Sequence, residues 1–270
     1  MFIPKEEKKH RIIKNISRFL LLVVLLSFVC FLVWLYNQHT VSILMYHRFG
    51  YKESALYVTP ENFEKQLKFL VDNDYNVIPL KELVDGIKNG TKFGRNTVVI
   101  TIDDGYKDVY TYAYPLLKKY GIPATVFVIS GFISTEKDFM SWRDVVEMAE
   151  NNIDIGGHTD TNKYIPDVTT DEMLLQETAG CKQKIEEQLG KTILFFCYPS
   201  GGFTEKAKIF IKKAGYVGAC TTNRGLVKLN KDVYELKRVK VKDGDGINLL
   251  SFNLKLTGYY NVFKKYKRGW

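Results

Sequence analysis

Apolar and polar positions divide the chain into two regimes. Residues 19–36 (FLLLVVLLSFVCFLVWLY) carry no charge and are almost wholly apolar. A helix of that length rises about 27 Å, close to the hydrocarbon thickness of a bilayer. From Val41 onward, short apolar runs alternate with longer segments whose apolar residues recur at helical spacing. The runs 41–46, 77–78, 98–102, 124–129, 153–155, 193–198 and 216–220 predict strands. Thr59-Pro60-Glu61 places a cap, a proline and an acid at the start of a helix whose apolar positions are Phe63, Leu67, Leu70 and Val71. Further helices are predicted from Leu80 to the stop at Gly90, over 108–120 with Gly121 beyond it, and over 142–151 and 204–214. Thr169-Thr170-Asp171-Glu172 has capping-box spacing and opens the longest helix of this region, to about Leu189, with Gly190 ending it. Repeated β–α units of this kind predict an α/β fold with a parallel sheet, open or closed into a barrel.

The flanks of the apolar run give it a direction. Lys5, Lys8, Lys9, Arg11, Lys14 and Arg18 precede it against only Glu6 and Glu7, and the uncharged or neutral Asn37-Gln38-His39-Thr40 follows it. Trp34 and Tyr36 stand at its outer end, where amphipathic rings favour the interface. The positive-inside rule then puts residues 1–18 in the cytoplasm, makes 19–36 a single-pass signal anchor in the cell membrane and 37–40 a juxtamembrane linker, and leaves everything beyond extracellular. A cleaved signal peptide would have a shorter apolar core and small residues at a cleavage site.

The net charge of +9 is uneven. Residues 1–18 hold six basic and two acidic groups and residues 236–270 hold nine and two, leaving 24 basic against 26 acidic between them. The near-neutral centre gives no reason to expect a nucleic-acid partner. The basic, aromatic end at 264–270 reads either as a contact for anionic lipid headgroups or an acidic wall polymer, or as a solvated tail. Outside the anchor, Cys181, Cys197 and Cys220 lack the spacing of a zinc knuckle and the even number of a disulfide framework, so small buried hydrophobes are expected. There is no Gly-x-Gly-x-x-Gly and no P-loop to support a nucleotide site. Nothing in the pattern sets an oligomeric state.

Candidate chemistry concentrates at strand ends. The run Thr97-Val98-Val99-Ile100-Thr101-Ile102 stops in Asp103-Asp104-Gly105-Tyr106. Two adjacent carboxylates at the end of a buried strand repel unless a cation, an arginine or a proton relieves them. The C-terminal end of a strand is also where α/β folds carry catalytic groups. The plainer reading is an Asp-Gly turn with Asp104 capping a helix. His47 follows the run 41–46 and His158 follows 153–155, so both histidines reach the same rim as the carboxylates, a plausible metal and acid/base site.

Five ordered motifs carry a resemblance. Ile43-Leu44-Met45-Tyr46-His47-Arg48, Thr101-Ile102-Asp103-Asp104-Gly105-Tyr106, Gly121-Ile122-Pro123-Ala124-Thr125-Val126-Phe127, Gly156-Gly157-His158-Thr159 and Tyr198-Pro199-Ser200-Gly201-Gly202 together resemble the polysaccharide deacetylases, carbohydrate esterase family four, and within them the poly-N-acetylglucosamine type. The resemblance spans 41–241, which leaves 242–270 as a basic aromatic tail. It implies a distorted (β/α) barrel of about seven strands with a divalent metal, usually zinc, at its C-terminal rim. The implied activity is removal of N-acetyl groups from peptidoglycan or poly-N-acetylglucosamine. By the same resemblance Asp103 is the general base and His47 the general acid. Asp104 and His158 are metal ligands, and Asn162 stands at the third ligand position. The backbone at Ser200, with Tyr198, serves the oxyanion and substrate. Thr159 supports the metal turn, and Arg238 pairs with Asp103.

Two departures bear on this. The usual His-[Ser/Thr]-x-x-His reads His158-Thr159-Asp160-Thr161-Asn162, and the usual Tyr-Pro-Tyr-Gly reads Tyr198-Pro199-Ser200-Gly201. An amide oxygen is a weaker zinc donor than imidazole. The first departure therefore leaves open a working site of lower affinity, a ligand taken from elsewhere such as Asp160, or a non-catalytic glycan-binding protein. An O-acetyl esterase on the same fold is the third reading.

Overall fold

The computed structural model describes residues 5–37, 39–224 and 229–260, in two compact units, Met1–His39 and Thr40–Trp270. The first unit is one helix, α1 (Lys5–Tyr36), which is long and apolar enough to cross a membrane. It continues without a break through the basic segment that the sequence reading set apart.

The second unit opens with β1 (Ser42–Tyr46), followed by a small parallel pair, β2 (Arg48–Phe49) and β3 (Tyr57–Val58). Then come α2 (Pro60–Asp72), β4 (Asn76–Val77), α3 (Leu80–Asn89) and β5 (Thr97–Ile102). A π turn at Val109–Ala113 leads into α4 (Tyr114–Tyr120), and β6 (Ala124–Val128), α5 (Trp142–Glu150) and β7 (Ile153–Gly157) follow. The predicted long helix is α6 (Asp171–Leu175) and α7 (Cys181–Leu189), joined by a π turn at Gln176–Gly180. The chain then forms β8 (Phe195–Cys197), α8 (Glu205–Lys213), β9 (Gly218–Cys220), β10 (Val239–Lys240), α9 (Gly244–Ile247) and α10 (Leu249–Leu256).

Seven strands run parallel in the order β10-β1-β5-β6-β7-β8-β9, the distorted (β/α) barrel expected from the resemblance. Two features account for the distortion. β4 pairs with Thr97 and Val98 at the start of β5, whereas β6 pairs with Thr101 and Ile102 at its end, so the sheet splays there. Across the gap, Leu236 bridges to Cys220 of β9 while Val239 and Lys240 pair with Leu44 and Met45 of β1. The short segment 236–240 therefore closes the ring.

Strand period two explains why nearly every strand residue is apolar. Val98, Ile100 and Ile102 face the helices in the larger core, and Val99 joins Ile43, Phe127, Phe195, Cys197, Cys220 and Leu236 inside the ring. The three cysteines of the domain are buried and unbridged, as their apolar contexts suggested. Val71, expected in the core face of α2, is instead 49% exposed.

The domain also runs past residue 241. Phe252 and Leu256 of α10 are buried in the main core, and Lys255 meets Asp245 in a buried ion pair at 2.5 Å. Residues 244–256 thus belong to the packed unit rather than to a tail. The basic stretch 264–270 lies outside the described residues.

Candidate active site

Strand register assembles the rim. Tyr46 pairs with Ile102, so the next residues, His47 and Asp103, emerge side by side, and Asp103 N–H donates to Tyr46 O at 3.0 Å. Val128 pairs with Gly157, which delivers His158 from β7 to the same end. Glycine is required just before it: a Cβ on Gly156 would sit 2.6 Å from the Phe127 ring and 2.8 Å from Phe195 O. The backbone then turns sharply. Asp104 (φ 75°), Thr159 (φ 66°), Asn162 (φ 60°) and Ser200 (φ 53°) are all non-glycine residues in the left-handed region. Such conformations cost free energy and collect at functional sites.

Arg238 is the hub beneath the rim. It is 1% exposed and Asp103 3% exposed. Its Nη1 and Nη2 each donate to one Asp103 oxygen at 2.6 Å. The remaining donors reach Thr101 Oγ1 (3.0 Å), Thr221 O (2.8 Å) and Cys197 Sγ (3.1 Å). All five N–H groups of the guanidinium are accounted for, which is what a buried arginine needs. Burial alone would raise the Asp103 carboxyl, but the guanidinium beside it wins and holds it down at about 2. His47 Nε2 lies 3.8 Å from Asp103 Oδ2. Burial pushes this imidazole below its ordinary value, against the opposing pull of Asp103 and Asp104.

His158 and Asp104 form the second half of the site. Nε2 of His158 faces Asp104 Oδ1 at 3.2 Å, and its Nδ1 is fixed by Cys197 O at 2.8 Å. Burial would lower this imidazole, yet the Cys197 sulfur and the two carboxylates together raise it well above its ordinary value. The geometry suits a divalent cation: a carboxylate oxygen and a ring nitrogen converge, and the other nitrogen is oriented by a backbone carbonyl, as in metal-ligating histidines.

Asp103, His158 and Cys197 also bring donor atoms within 4.8 Å of one another. Arg238 fills that space with positive charge, however, so the Asp104–His158 pair is the better cation seat. A cation at this seat would take the His158 Nε2 that a proton otherwise occupies, so uptake must release that proton. Divalent-cation affinity is therefore expected to fall as pH is lowered through neutrality, because this imidazole is held well above its ordinary value. The check is equilibrium dialysis at several pH values, with proton release measured on mixing; pH-independent affinity would count against this seat.

The loop between His158 and Asn162 is held from behind by residues that the sequence reading missed. Glu177, in the π turn, accepts Asp160 N–H and Thr161 N–H at 2.9 Å each and meets the Thr161 hydroxyl. Asp160 accepts from the Ser130 hydroxyl (2.7 Å) and from Lys184 through both oxygens (2.8 and 2.9 Å). Asp160 is therefore occupied and is not the substitute ligand considered above. Thr159 is buried, with its hydroxyl on His158 O at 2.5 Å. Asn162 is exposed, and among the described residues no hydrogen bond or ion pair joins it to Asp104 or His158.

The Tyr-Pro-Ser-Gly turn needs one correction. Tyr198 does not line the site: it is buried, packs on Phe196 and Phe203, and donates its hydroxyl to Tyr234 O at 3.2 Å. It shares the outward strand face with Phe196, two residues earlier. Ser200 is exposed at the rim. Gly201 N–H and Gly202 N–H are used within the turn, and among the described residues the Ser200 N–H has no acceptor. Arg48, also missed, clamps the His47 segment to the Asp104 segment. It donates to Asp108 at 2.7 Å and stacks 3.8 Å above the Tyr106 ring.

Comparison with known proteins bears on this arrangement. A family profile described as polysaccharide deacetylase matches residues 90–219. The chain is 34% identical over 202 residues to YxkH of Bacillus subtilis (strain 168), a candidate polysaccharide deacetylase by its name, covering 75% of this chain and 71% of that one. It is 28% identical over 198 residues to the poly-beta-1,6-N-acetyl-D-glucosamine N-deacetylase of Staphylococcus aureus (strain MSSA476), covering 69% and 68% respectively. The solved structure of the Streptococcus pyogenes deacetylase PplD in complex with acetate matches with a TM-score of 0.71 at 25% identity, over 78% of this chain and 96% of that one.

Proposed function

Because the chain belongs to the polysaccharide deacetylase family, we propose that it is a membrane-anchored, metal-dependent hydrolase that removes N-acetyl groups from an extracellular amino-sugar polysaccharide. The observation that carries this reading is the meeting of His47, Asp103–Arg238 and Asp104–His158 at one rim of the barrel. Similarity to the staphylococcal enzyme favours poly-N-acetylglucosamine over peptidoglycan as the glycan. The apolar helix α1, with its basic flank on one side only, supports a single-pass anchor with the N-terminus in the cytoplasm.

Asp104 and His158 would hold the divalent cation, zinc being the ion their donors suit. When bound, it supplies Lewis-acid polarisation of the acetamide carbonyl and acidifies water in the site. Asp103 is ionised at neutral pH, and with its carboxyl at about 2 it takes a proton only from water that has been acidified. Arg238 keeps that carboxylate charged and aimed. The Ser200 N–H is the donor for the oxyanion that develops as the carbonyl is attacked. His47 is placed to protonate the departing amine; burial leaves its imidazole neutral at rest, so the proton it delivers is the one Asp103, 3.8 Å away, takes from water.

The exposed Asn162 favours a second reading, a glycan-binding protein without turnover. Acetate release from β-1,6- and β-1,4-linked N-acetylglucosamine oligomers, with and without a chelator, separates the two, and acetate esters run in parallel test the esterase alternative. Asn162→His is expected to tighten zinc binding about tenfold or more by restoring an imidazole donor. Metal-dependent release by the wild-type chain supports the hydrolase. Silence in the wild type with activity in Asn162→His would make the second reading correct.

A further inference from the structure

α10 packs on the core through Phe252 and Leu256. Its opposite side is apolar as well. Leu250 and Leu254, four residues apart and so on one helical face, are 68% and 57% exposed. Ile247, at the end of α9 just before them, is 74% exposed. A helix face turned to water ordinarily carries charge. The outer faces of α2 and α3 do, with the exposed pairs Lys68–Asp72 and Lys81–Asp85. Along α10 the polar residues Asn248, Ser251 and Asn253 are uncharged, and the one charged residue, Lys255, is buried against Asp245.

α10 is also tied to the start of the domain. Ser42 Oγ donates to Lys255 O at 2.8 Å, and Thr40 donates to Gly258 O through both its N–H and its hydroxyl, at 3.1 Å each. From Tyr36, where the apolar helix ends, the chain to Thr40 spans at most about 14 Å even when fully extended. Composition agrees with that position. Residues 246–270 contain five basic and no acidic residues, and Tyr259, Tyr260, Phe263, Tyr266 and Trp270 are interleaved with them. Cationic and aromatic side chains of this kind favour the headgroup layer of a bilayer.

We propose that the outer face of α10 rests on the anionic lipid surface of the membrane that α1 spans, with Ile247, Leu250 and Leu254 inserted at the boundary of headgroups and acyl chains. The inference rests on the anchor reading of α1 and adds to it a second contact, one that fixes how the catalytic domain is presented. Apolar side chains on one face, no acid on that face and a basic, aromatic continuation are what an interfacial helix needs. A weak contact suffices, because a short tether keeps the local concentration of the surface high.

The test uses the full chain in vesicles of phosphatidylcholine and phosphatidylglycerol that include a lipid with a diazirine near the headgroup end of its acyl chain. Photolysis and peptide mass spectrometry then map the residues that meet lipid. Labelling within 247–254 as well as within 19–36 is the expected result. Leu175 and Ile209, 55% and 52% exposed elsewhere on the domain, are internal controls and should stay unlabelled. The double variant Leu250→Glu/Leu254→Glu should lose labelling within 247–254 by about tenfold or more, through lost burial of two leucines. Its labelling within 19–36 and its circular dichroism should match the wild type, since both positions face away from the core. Wild-type labelling confined to 19–36 would overturn the inference and leave the anchor standing; a second copy of the chain, or residues 261–270, covering the stripe would give that result. Labelling of Leu175 and Ile209 to the same extent as 247–254 would overturn it too, by showing lipid contact without preference. Absence of labelling in both segments would remove the anchor reading, and this inference with it.

Discussion

Arg238→Met is expected to lower the stability of the domain by about 3–5 kcal/mol, the usual cost of leaving a buried charge without its partner. The guanidinium makes five hydrogen bonds in a site that admits almost no water, and methionine replaces none of them. The pH dependence should invert as well. In the wild type, the folded Asp103 carboxyl is held at about 2, below its ordinary value. The stability it contributes, on the order of 2 kcal/mol, is complete above about pH 4 and is lost as pH falls toward 2. Without the arginine, burial dominates and raises the folded value above the unfolded one. Asp103 then destabilises the variant increasingly as pH rises from the carboxylate range toward neutrality. Urea melts of both proteins at pH 4, 5, 6 and 7 check this: a stability gap between wild type and variant that widens with rising pH is the expected result, and a constant gap would show that Arg238 does not govern Asp103.

Asp103→Asn is expected to reduce acetate release by about 10²–10⁴-fold, the range associated with a positioned general base. The substitution keeps shape and one acceptor for Arg238, so the loss should appear in kcat with KM little changed. A loss that merely follows a lowered melting temperature would instead assign Asp103 a structural role as the partner of Arg238.

Much of this site can be read in the sequence because it obeys strand logic. His47 and Asp103 each stand one residue past a β-branched or apolar run and His158 follows the run 153–155 after two glycines, and parallel strands bring such residues to one rim. The same logic, applied one step further, would have removed Tyr198 from the site, since period two puts it on the face of Phe196 while Cys197 points inward beside Arg238. Other residues leave no local trace. Glu177 looks like any acid in an amphipathic helix, and only the π turn that re-aims it brings its carboxylate to the Asp160 and Thr161 amides. Two-residue strands such as β2, β3 and β10 carry too few positions for a period, and they exist because tertiary pairing holds them. Residues 242–270 read as tail because the motifs that carry the resemblance end before them, whereas burial of Phe252 and Leu256 ties 244–256 to the core.

Ring closure has a consequence for the order in which the protein comes into being. Arg238 sits between Leu236 and Val239, within the segment that joins β9 to β1, and it meets Asp103 across 135 residues of chain. Contacts so distant in sequence pay their loop-closure entropy late. As the polypeptide emerges from its N-terminus, the carboxylate pair is made long before its counter-ion, and a chain halted ahead of residue 236 has an open barrel and an unrelieved acid at its edge. Maturation of the site and completion of the fold are then one event, because Asp103 meets its counter-ion only once the segment 236–240 is in place.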